Sequence, residues 1–476
     1  MTTLLWLMTI QGVMGAFDTL YHHEFTERLP WKPQAGRELF IHGLRNLFYG
    51  LIFASLGGLS WGGVWAGVFA ALLIAEIGLT LWDFVVEDQS RHLPPSERIT
   101  HTLLAINYGL VLAFLAPELM RWETLPSGFH PHDYGLGSWI MYLFAAGVWG
   151  WAGFDLLRSR RFRKLTAVPS LHLDTPNQRV LITGGTGLIG SRLTQGLIDD
   201  GHQVTILTRD KAQAAKFRGP LTVIDHIDDL RAPVDLIINL AGESLSGGLW
   251  TRRRIARFYD SRLGITGALI DWIARQPVKP KRLINASAIG IYGRSETEIF
   301  DEASAPAAPD LATDLCTKWE TLALTAQNHG VPVSLIRFGL VLSVDGGALA
   351  QMLFPFEFGI GGRLGSGRQW ISWIHIDDAV GMVVHAANAG LDGTVNATAP
   401  VPVRNAGFTR ALGRAMHRPV VLPLPGFVLK RLLGQMADIL LLNGQQVLPA
   451  RATHSGYRFR YPQIDAALNA LFRGRM

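Results

Sequence analysis

Seven consecutive residues carry the most readable chemistry in the chain: Gly184, Gly185, Thr186, Gly187, Leu188, Ile189 and Gly190. Glycines three apart let a backbone turn tightly, approach a pyrophosphate closely and pack a helix against a strand. The run follows an apolar stretch at 180–183 and leads into an amphipathic one from Ser191, so it joins a buried strand to a helix. The helix then presents unpaired N–H groups and its positive dipole end to phosphate. About twenty residues on, a second apolar run, 203–208, ends at Thr208 and Arg209. An acidic residue at that place accepts from a ribose 2′-hydroxyl, whereas Arg209 suits a 2′-phosphate. NADP is the expected cofactor, and NAD the alternative because Asp210 adjoins.

A second set of reactive side chains lies in the first third of the chain. Asp18, His22, His23 and Glu24 end one apolar stretch, and Glu38 and His42 begin the next. Asp83 and Glu87 end a third, and Glu97 and His101 start a fourth, with Glu76 and Asn107 deeper. Glu38/His42 and Glu97/His101 are each four apart, so each pair shares a helical face. Carboxylate and imidazole from several helices can ligate a metal, with His22, Glu38, His42, Glu97 and His101 as the candidate set. The spacing is not the Glu-x-x-His of ferritin-like sites. A hydrogen-bonded polar cap at headgroup level, or haem between two histidines, are the alternatives.

Those residues sit in a chain of two characters. Its 476 residues exceed one ordinary domain. A charged fraction of 17% against 48% hydrophobic residues excludes a disordered protein. A single cysteine, Cys316, excludes a disulfide scaffold and a cysteine zinc site. The net charge of +6 comes without a long basic run interleaved with aromatics, so no nucleic-acid partner is expected. Five apolar stretches, roughly 3–20, 39–59, 62–85, 100–115 and 138–157, each approach bilayer-crossing length. No basic residue precedes the first, which is therefore not read as a cleaved signal peptide. Arg28, Lys32, Arg37, Arg91 and Arg98 fall in two alternate loops, and Arg158, Arg160, Arg161, Arg163 and Lys164 follow the last stretch. The other loops hold only Arg121, which sets the amino terminus outside and the rest of the chain in the cytoplasm of a bacterial cell. Residues 1–165 thus read as a five-span, all-helical membrane domain in the inner membrane, with the lipid bilayer as partner. A polar linker follows at 166–178.

From 179 to 476 apolar runs at 180–183, 203–208, 236–240, 282–286 and 333–342 alternate with helical stretches. That pattern is α/β: a doubly wound parallel sheet, with a smaller substrate-side part mainly from about 345 onward. Here the chain resembles the extended short-chain dehydrogenase/reductase superfamily, and within it the nucleoside-diphosphate-sugar epimerase-like subgroup. "TGGTGLIG", "INLAGE" at 238–243, "SRLGIT" at 261–266, "INASAIGIYG" at 284–293, "KWE" at 318–320, "RFGLVLS", "GSGRQWISWIHIDD" at 365–378 and "LLNGQQVLPAR" carry the resemblance. It implies that Leu240 and Ala241 line the cofactor groove, that Arg262 reaches toward the cofactor, and that Ser287 bonds a reacting carbonyl oxygen. A strand-end serine is also a common turn former.

The chain departs from the superfamily at its Tyr-x-x-x-Lys pair. Registering the helix on Glu320 puts Ala312 and Cys316 at those places, and Lys318 is two residues off, on another side. Tyr292 is the substitute proton donor to consider, or a packing residue. Asp377 or Asp378 can cap a helix starting near Ala379. His375 is either a substrate contact or a satisfied buried imidazole. Arg363 and Arg368, among the glycines of 361–367, would suit an anionic small-molecule substrate. The expected function is a membrane-anchored NADP(H)-dependent oxidoreductase or epimerase-like enzyme. A non-catalytic NADP(H)-binding sensor or assembly module is the alternative, and a third is a membrane transporter or metal redox unit fed by the soluble half.

Overall fold

The computed structural model describes residues 1–26, 29, 35–90, 94–162, 171–246 and 248–472. Met1–Thr166 and Ala167–Arg473 form two compact units. Arg28, Lys32, Arg91, Arg163 and Lys164, and the linker positions 166–170, lie outside the described residues.

In the first unit, α1 (Thr2–Phe17) continues as a π-helical stretch, Asp18–Thr26. The first expected span therefore ends as α-helix three residues early, and Asp18, His22 and His23 stand on the wider turn. Then follow α2 (Gly36–Gly58), α3 (Val64–Ser90), α4 (Pro95–Glu123) and α5 (Leu136–Phe162). The last four contain stretches long and apolar enough to cross a membrane. Half of the most apolar window of α2 is buried, against 22% for each of the other three, and α2 packs chiefly along α5. It meets α5 through glycines seven apart. A Cβ at Gly43 would lie 2.7 Å from Leu156 Cγ, one at Gly57 2.9 Å from Met141 Cβ, and one at Gly50 would collide with the Trp149 indole. Close helix approach through small residues is a packing device of bilayer helices. Side chains such as Ile74, Trp139 and Leu143 are exposed by 70% or more on the outer faces. Between α2 and α3, β1 (Leu59–Gly62) pairs antiparallel with β2 (Gly128–Pro131), a ribbon that takes the place of the expected start of the third span at residue 62.

The second unit is built on a seven-stranded, wholly parallel sheet. Its strands are β3 (Arg179–Thr183), β4 (Gln203–Leu207), β5 (Leu221–Ile224), β6 (Leu236–Asn239), β7 (Arg282–Ala288), β9 (Val333–Phe338) and β13 (Gly393–Ala397), in the order β13-β9-β7-β6-β3-β4-β5. The chain winds outward to β5 and restarts at β6, so the switch point lies between β3 and β6. Helices α6 (Leu188–Asp199), α7 (Arg252–Tyr259), α8 (Ile265–Arg275), α9 (Leu311–Leu324), α10 (Gly347–Glu357) and α11 (Ile376–Asn388) belong to the same unit. Leu181, Ile237, Leu269, Ile273, Leu283 and Leu335 form part of one buried core. Coverage on both faces explains why these strands read as unbroken apolar runs.

Three further expectations change. Residues 171–178 are not a free linker: Leu171 and Leu173 are buried, and His172 Nδ1 lies 3.0 Å from Asp200 Oδ1. The run 333–342 divides at Gly339 into β9 and β10 (Leu340–Leu342), and β10 pairs with β12 (Trp373–His375). The part beyond 345 is not separate, because β13 lies beside β9 at one edge of the main sheet. Short pairs, β8 (Ile299–Phe300) with β15 (Gln446–Val447) and β11 (Trp370–Ile371) with β14 (Val403–Arg404), bring later segments back.

Candidate cofactor and reaction site

The glycine turn is built as its spacing requires. Gly184 has φ +67°, a conformation side chains avoid, and a Cβ there would lie 2.7 Å from the Leu240 carbonyl oxygen. A Cβ at Gly190 would run into the Gly184 carbonyl, and one at Gly185 would lie 2.6 Å from Ile206 Cγ2. Gly187 caps α6 in an extended conformation with no side-chain cap, and its N–H donates to Gly184 O at 2.9 Å. The helix begins at Leu188, three residues before Ser191. Leu188, Ile189 and Gly190 thus stand in a first turn whose N–H groups have no intrahelical acceptor, a cradle that fits a diphosphate.

At the end of β4, Thr208 N donates to Ile224 O, while the Asp210 carboxylate accepts from Ala212 N at 3.1 Å and Gln213 Nε2 at 3.0 Å. Asp210 is therefore occupied in capping the next turn, and Arg209 beside it is exposed. Lys216, at the end of that turn, donates from Nζ to the Thr186 carbonyl at 2.9 Å. Spacing around the glycine motif does not single it out.

Across the switch point a buried polar ladder fixes the strand ends. Thr183 Oγ1 donates to Asn239 Oδ1 at 2.5 Å, and Asn239 Nδ2 donates to Asn285 Oδ1 at 2.6 Å and Thr266 Oγ1 at 2.8 Å. Leu240 N and Ala241 N donate to Thr183 O and Oγ1, which holds the segment after β6 under the glycine turn. Arg262 donates to the carbonyls of Phe258 and Glu243 and lies over the Trp319 ring, so its guanidinium braces this loop.

Ser287, next to last in β7 and 3% exposed, donates to Glu320 Oε1 at 2.5 Å. Glu320 on α9 receives Arg337 of β9 at both oxygens, 2.8 and 2.7 Å. Arg337 also donates to Tyr292 Oη at 2.8 Å, and that hydroxyl donates to Asn396 Oδ1 at 2.8 Å. Ser287, Arg337 and Asn396 are register partners on neighbouring strands, so one row of the sheet carries the network. Tyr292 is 1% exposed, and burial pushes its phenol up, against the demand on a proton donor. Arg337, an arginine within an apolar strand, is the residue sequence reading passed over.

Ala312, Cys316 and Glu320 are four apart on α9, and a Cβ at Gly290 would lie 3.2 Å from Ala312 Cβ. Burial pushes the Cys316 thiol up to about 11, so a neutral group stands at the place where the Tyr-x-x-x-Lys pattern would put an ammonium. Lys318 pairs with Asp314 at 2.8 Å on an exposed side. His375 Nδ1 accepts from Asp377 N at 3.1 Å and caps α11, which starts at Ile376 rather than Ala379, while its buried Nε2 has no hydrogen-bond partner. Burial, with Arg192 and Arg460 near, holds its imidazole down to about 3. Asp378 accepts from Arg460 N and Tyr461 N instead of capping the helix. Arg368 is 75% exposed and pairs with Glu296 at 3.2 Å.

In the first unit, Glu38, His42 and Glu87 place one ligand atom each within 4.8 Å of one another, and so do His23, Glu87, Glu97 and His101. His22 stands apart from both groups, its Nδ1 2.9 Å from Asp18 Oδ1. Pairwise spacing found two helix faces but missed Glu87, which connects them.

The model of the NAD dependent epimerase/dehydratase family matches residues 180–397, and a domain of unknown function matches 424–471. The chain is 41% identical over 330 residues to the chloroplastic epimerase family protein SDR39U1 homolog of Arabidopsis thaliana, covering 67% of this chain and 93% of that one. It is 39% identical over 303 residues to the epimerase family protein YfhF of Bacillus subtilis, covering 62% and 98%. The crystal structure of the human epimerase family protein SDR39U1 (isoform 2) with NADPH aligns with a TM-score of 0.56 at 36% identity, covering 62% and 98%. With the glycine cradle in place at the switch point, the chain belongs to the NAD-dependent epimerase/dehydratase family as an NAD(P)-binding epimerase-family protein.

Proposed function

We propose that the protein is an NADP(H)-dependent oxidoreductase or epimerase-like enzyme anchored in the bacterial inner membrane, its nucleotide-binding unit in the cytoplasm. The observation that carries the cofactor choice is the pair of cations beside the glycine turn, Arg209 at the end of β4 and Lys216 on the Thr186 carbonyl, with Asp210 engaged elsewhere. A 2′-phosphate meets positive charge there, and a 2′-hydroxyl finds no waiting carboxylate. Gly184–Gly190, Leu240, Ala241 and Arg262 would shape the groove for NADPH, which would supply hydride when bound. Ser287 is the group nearest in type to a carbonyl donor, and its hydroxyl must leave Glu320 to act. Purified protein is expected to oxidise NADPH with a lipid-soluble carbonyl, and Ser287→Ala to abolish this with cofactor affinity intact. Unchanged turnover in that variant removes Ser287 from the chemistry.

One observation favours a second reading. With the Ser287 proton given to Glu320, and Ala312 and Cys316 on α9, an NADP(H)-binding sensor or assembly module fits the same geometry. It predicts tight NADPH binding with no turnover across a panel of carbonyls.

The membrane assignment is supported by the four long apolar helices and the exposed apolar faces around them. α1 adds a fifth crossing: Trp6, Ile10, Val13 and Phe17 are exposed along it. With the amino terminus outside, the basic run that begins in the last turns of α5 is cytoplasmic. Alkaline phosphatase fused after Asp133 is expected to be inactive if that loop is cytoplasmic and active if it is outside; only the active outcome agrees with the topology.

A further inference from the structure

We propose that the first unit holds a pair of divalent transition-metal ions bridged by Glu87, one bound by Glu38 and His42 and the other by His23, Glu97 and His101. Glu87 in the last turns of α3 belongs to both ligand groups, and within each group one donor atom per residue lies within 4.8 Å of the others. Donors held at ~2.0–2.2 Å from one ion are separated by no more than about 4.4 Å, so a small inward movement closes each group. All of these residues except His101 are buried.

Directionality is the second observation. His42 Nε2 lies 3.1 Å from Asp83 Oδ2 and 3.6 Å from Glu87 Oε1, and His23 Nε2 lies 3.4 Å from Glu97 Oε1 and 3.5 Å from Asp18 Oδ2. Neither buried nitrogen makes a hydrogen bond, although each faces two carboxylates. A buried imidazole nitrogen facing two carboxylates without a hydrogen bond is placed to share a cation with them. His101 is held differently. Its Nε2 is 3.1 Å from Asp18 Oδ2, and its Nδ1, 3.5 Å from Glu87 Oε2, is the side toward the group. A carboxylate behind an imidazole fixes the ring and tautomer of a metal ligand, and that makes Asp18, with His22 on its other oxygen at 2.9 Å, a positioning residue.

Charge agrees. Glu38, Glu87 and Glu97 contribute three negative charges, with Asp18 and Asp83 adjoining, while Arg45 pairs with Asp83. Two divalent ions bring compensating charge into the bundle interior. Mixed imidazole and carboxylate donors suit iron, manganese or zinc. A cavity of about 480 Å³ is lined by Asp18, His23, His42 and His101 together with Phe53 and Leu112, which gives small molecules access to open coordination positions.

The test is elemental analysis of the full-length chain purified in detergent, followed by chelation and titration with Mn(II) under electron paramagnetic resonance. Two equivalents of iron, manganese or zinc per chain and an exchange-coupled Mn(II) signal are expected. His42→Ala and His101→Ala should each lose about one equivalent, Glu87→Gln should lose the coupling, and His22→Gln should retain both ions. Metal absent from the parent, a single equivalent, or two equivalents with an uncoupled signal overturns the proposal, whatever the variants do.

Discussion

The main buried polar clusters of the two units are held differently. In the nucleotide-binding unit the buried carboxylate Glu320 is met by a bidentate arginine and a serine, and the buried amides of Asn239 and Asn285 are joined into one ladder. In the helical unit carboxylates and imidazoles converge from four helical segments, and the nitrogens of His23 and His42 close on oxygens without a directed bond. Satisfied networks position something else, here strand ends and the cofactor groove. The second arrangement is the one proposed above to hold metal.

The largest expected effect breaks the satisfied side. Glu320→Ala leaves Arg337 buried without a counter-charge and should cost about 3–5 kcal/mol by chemical denaturation, with Glu320→Leu/Arg337→Met recovering most of it. A loss below about 1 kcal/mol would make the network no more than a surface pair. Next, Gly190→Val drives a side chain into the Gly184 carbonyl, and NADPH affinity should fall by roughly a hundredfold or more with the helical unit's metal content unchanged. A fluorescence titration measures it. Arg209→Glu with Lys216→Glu should then shift the NADPH-to-NADH affinity ratio by at least about tenfold toward NADH; an unmoved ratio would detach both cations from cofactor choice.

The last effect, nil at neutral pH and growing only on acidification, is acid sensitivity from His375. An unfolded chain protonates this imidazole below about 6.5, whereas the folded site holds it down to about 3. Stability from this group is complete above the higher value and falls as pH drops between the two, by up to roughly 1.4 kcal/mol per pH unit. His375→Asn keeps an acceptor for Asp377 N–H, so its denaturation curve should flatten across that interval relative to the parent.

The glycine turn was legible because strand, turn and helix are contiguous, and each glycine answers to a neighbour close in sequence or to the phosphate itself. The apolar helices were legible through length alone. Lys216 and Arg337 were not, since their partners Thr186 and Glu320 lie thirty and seventeen residues away and no periodicity connects them. The capping role of His375 was not legible, because an imidazole before an acidic pair looks like a site and the Tyr461 ring packed 4.0 Å from it, centroid to centroid, comes from a distant segment. The ribbon of β1 and β2 needs a partner about seventy residues on, beyond what a four-residue strand can announce.

The glycines of α2 also act as an index. Sliding α2 along α5 by one turn would seat Leu156 and Trp149 against side chains instead of bare backbone. The next compatible seat is seven residues away, about 10 Å at 1.5 Å per residue. Small axial drift is thereby blocked, and the height at which Glu38 and His42 stand is notched into the bundle rather than left to the thickness of whatever surrounds it.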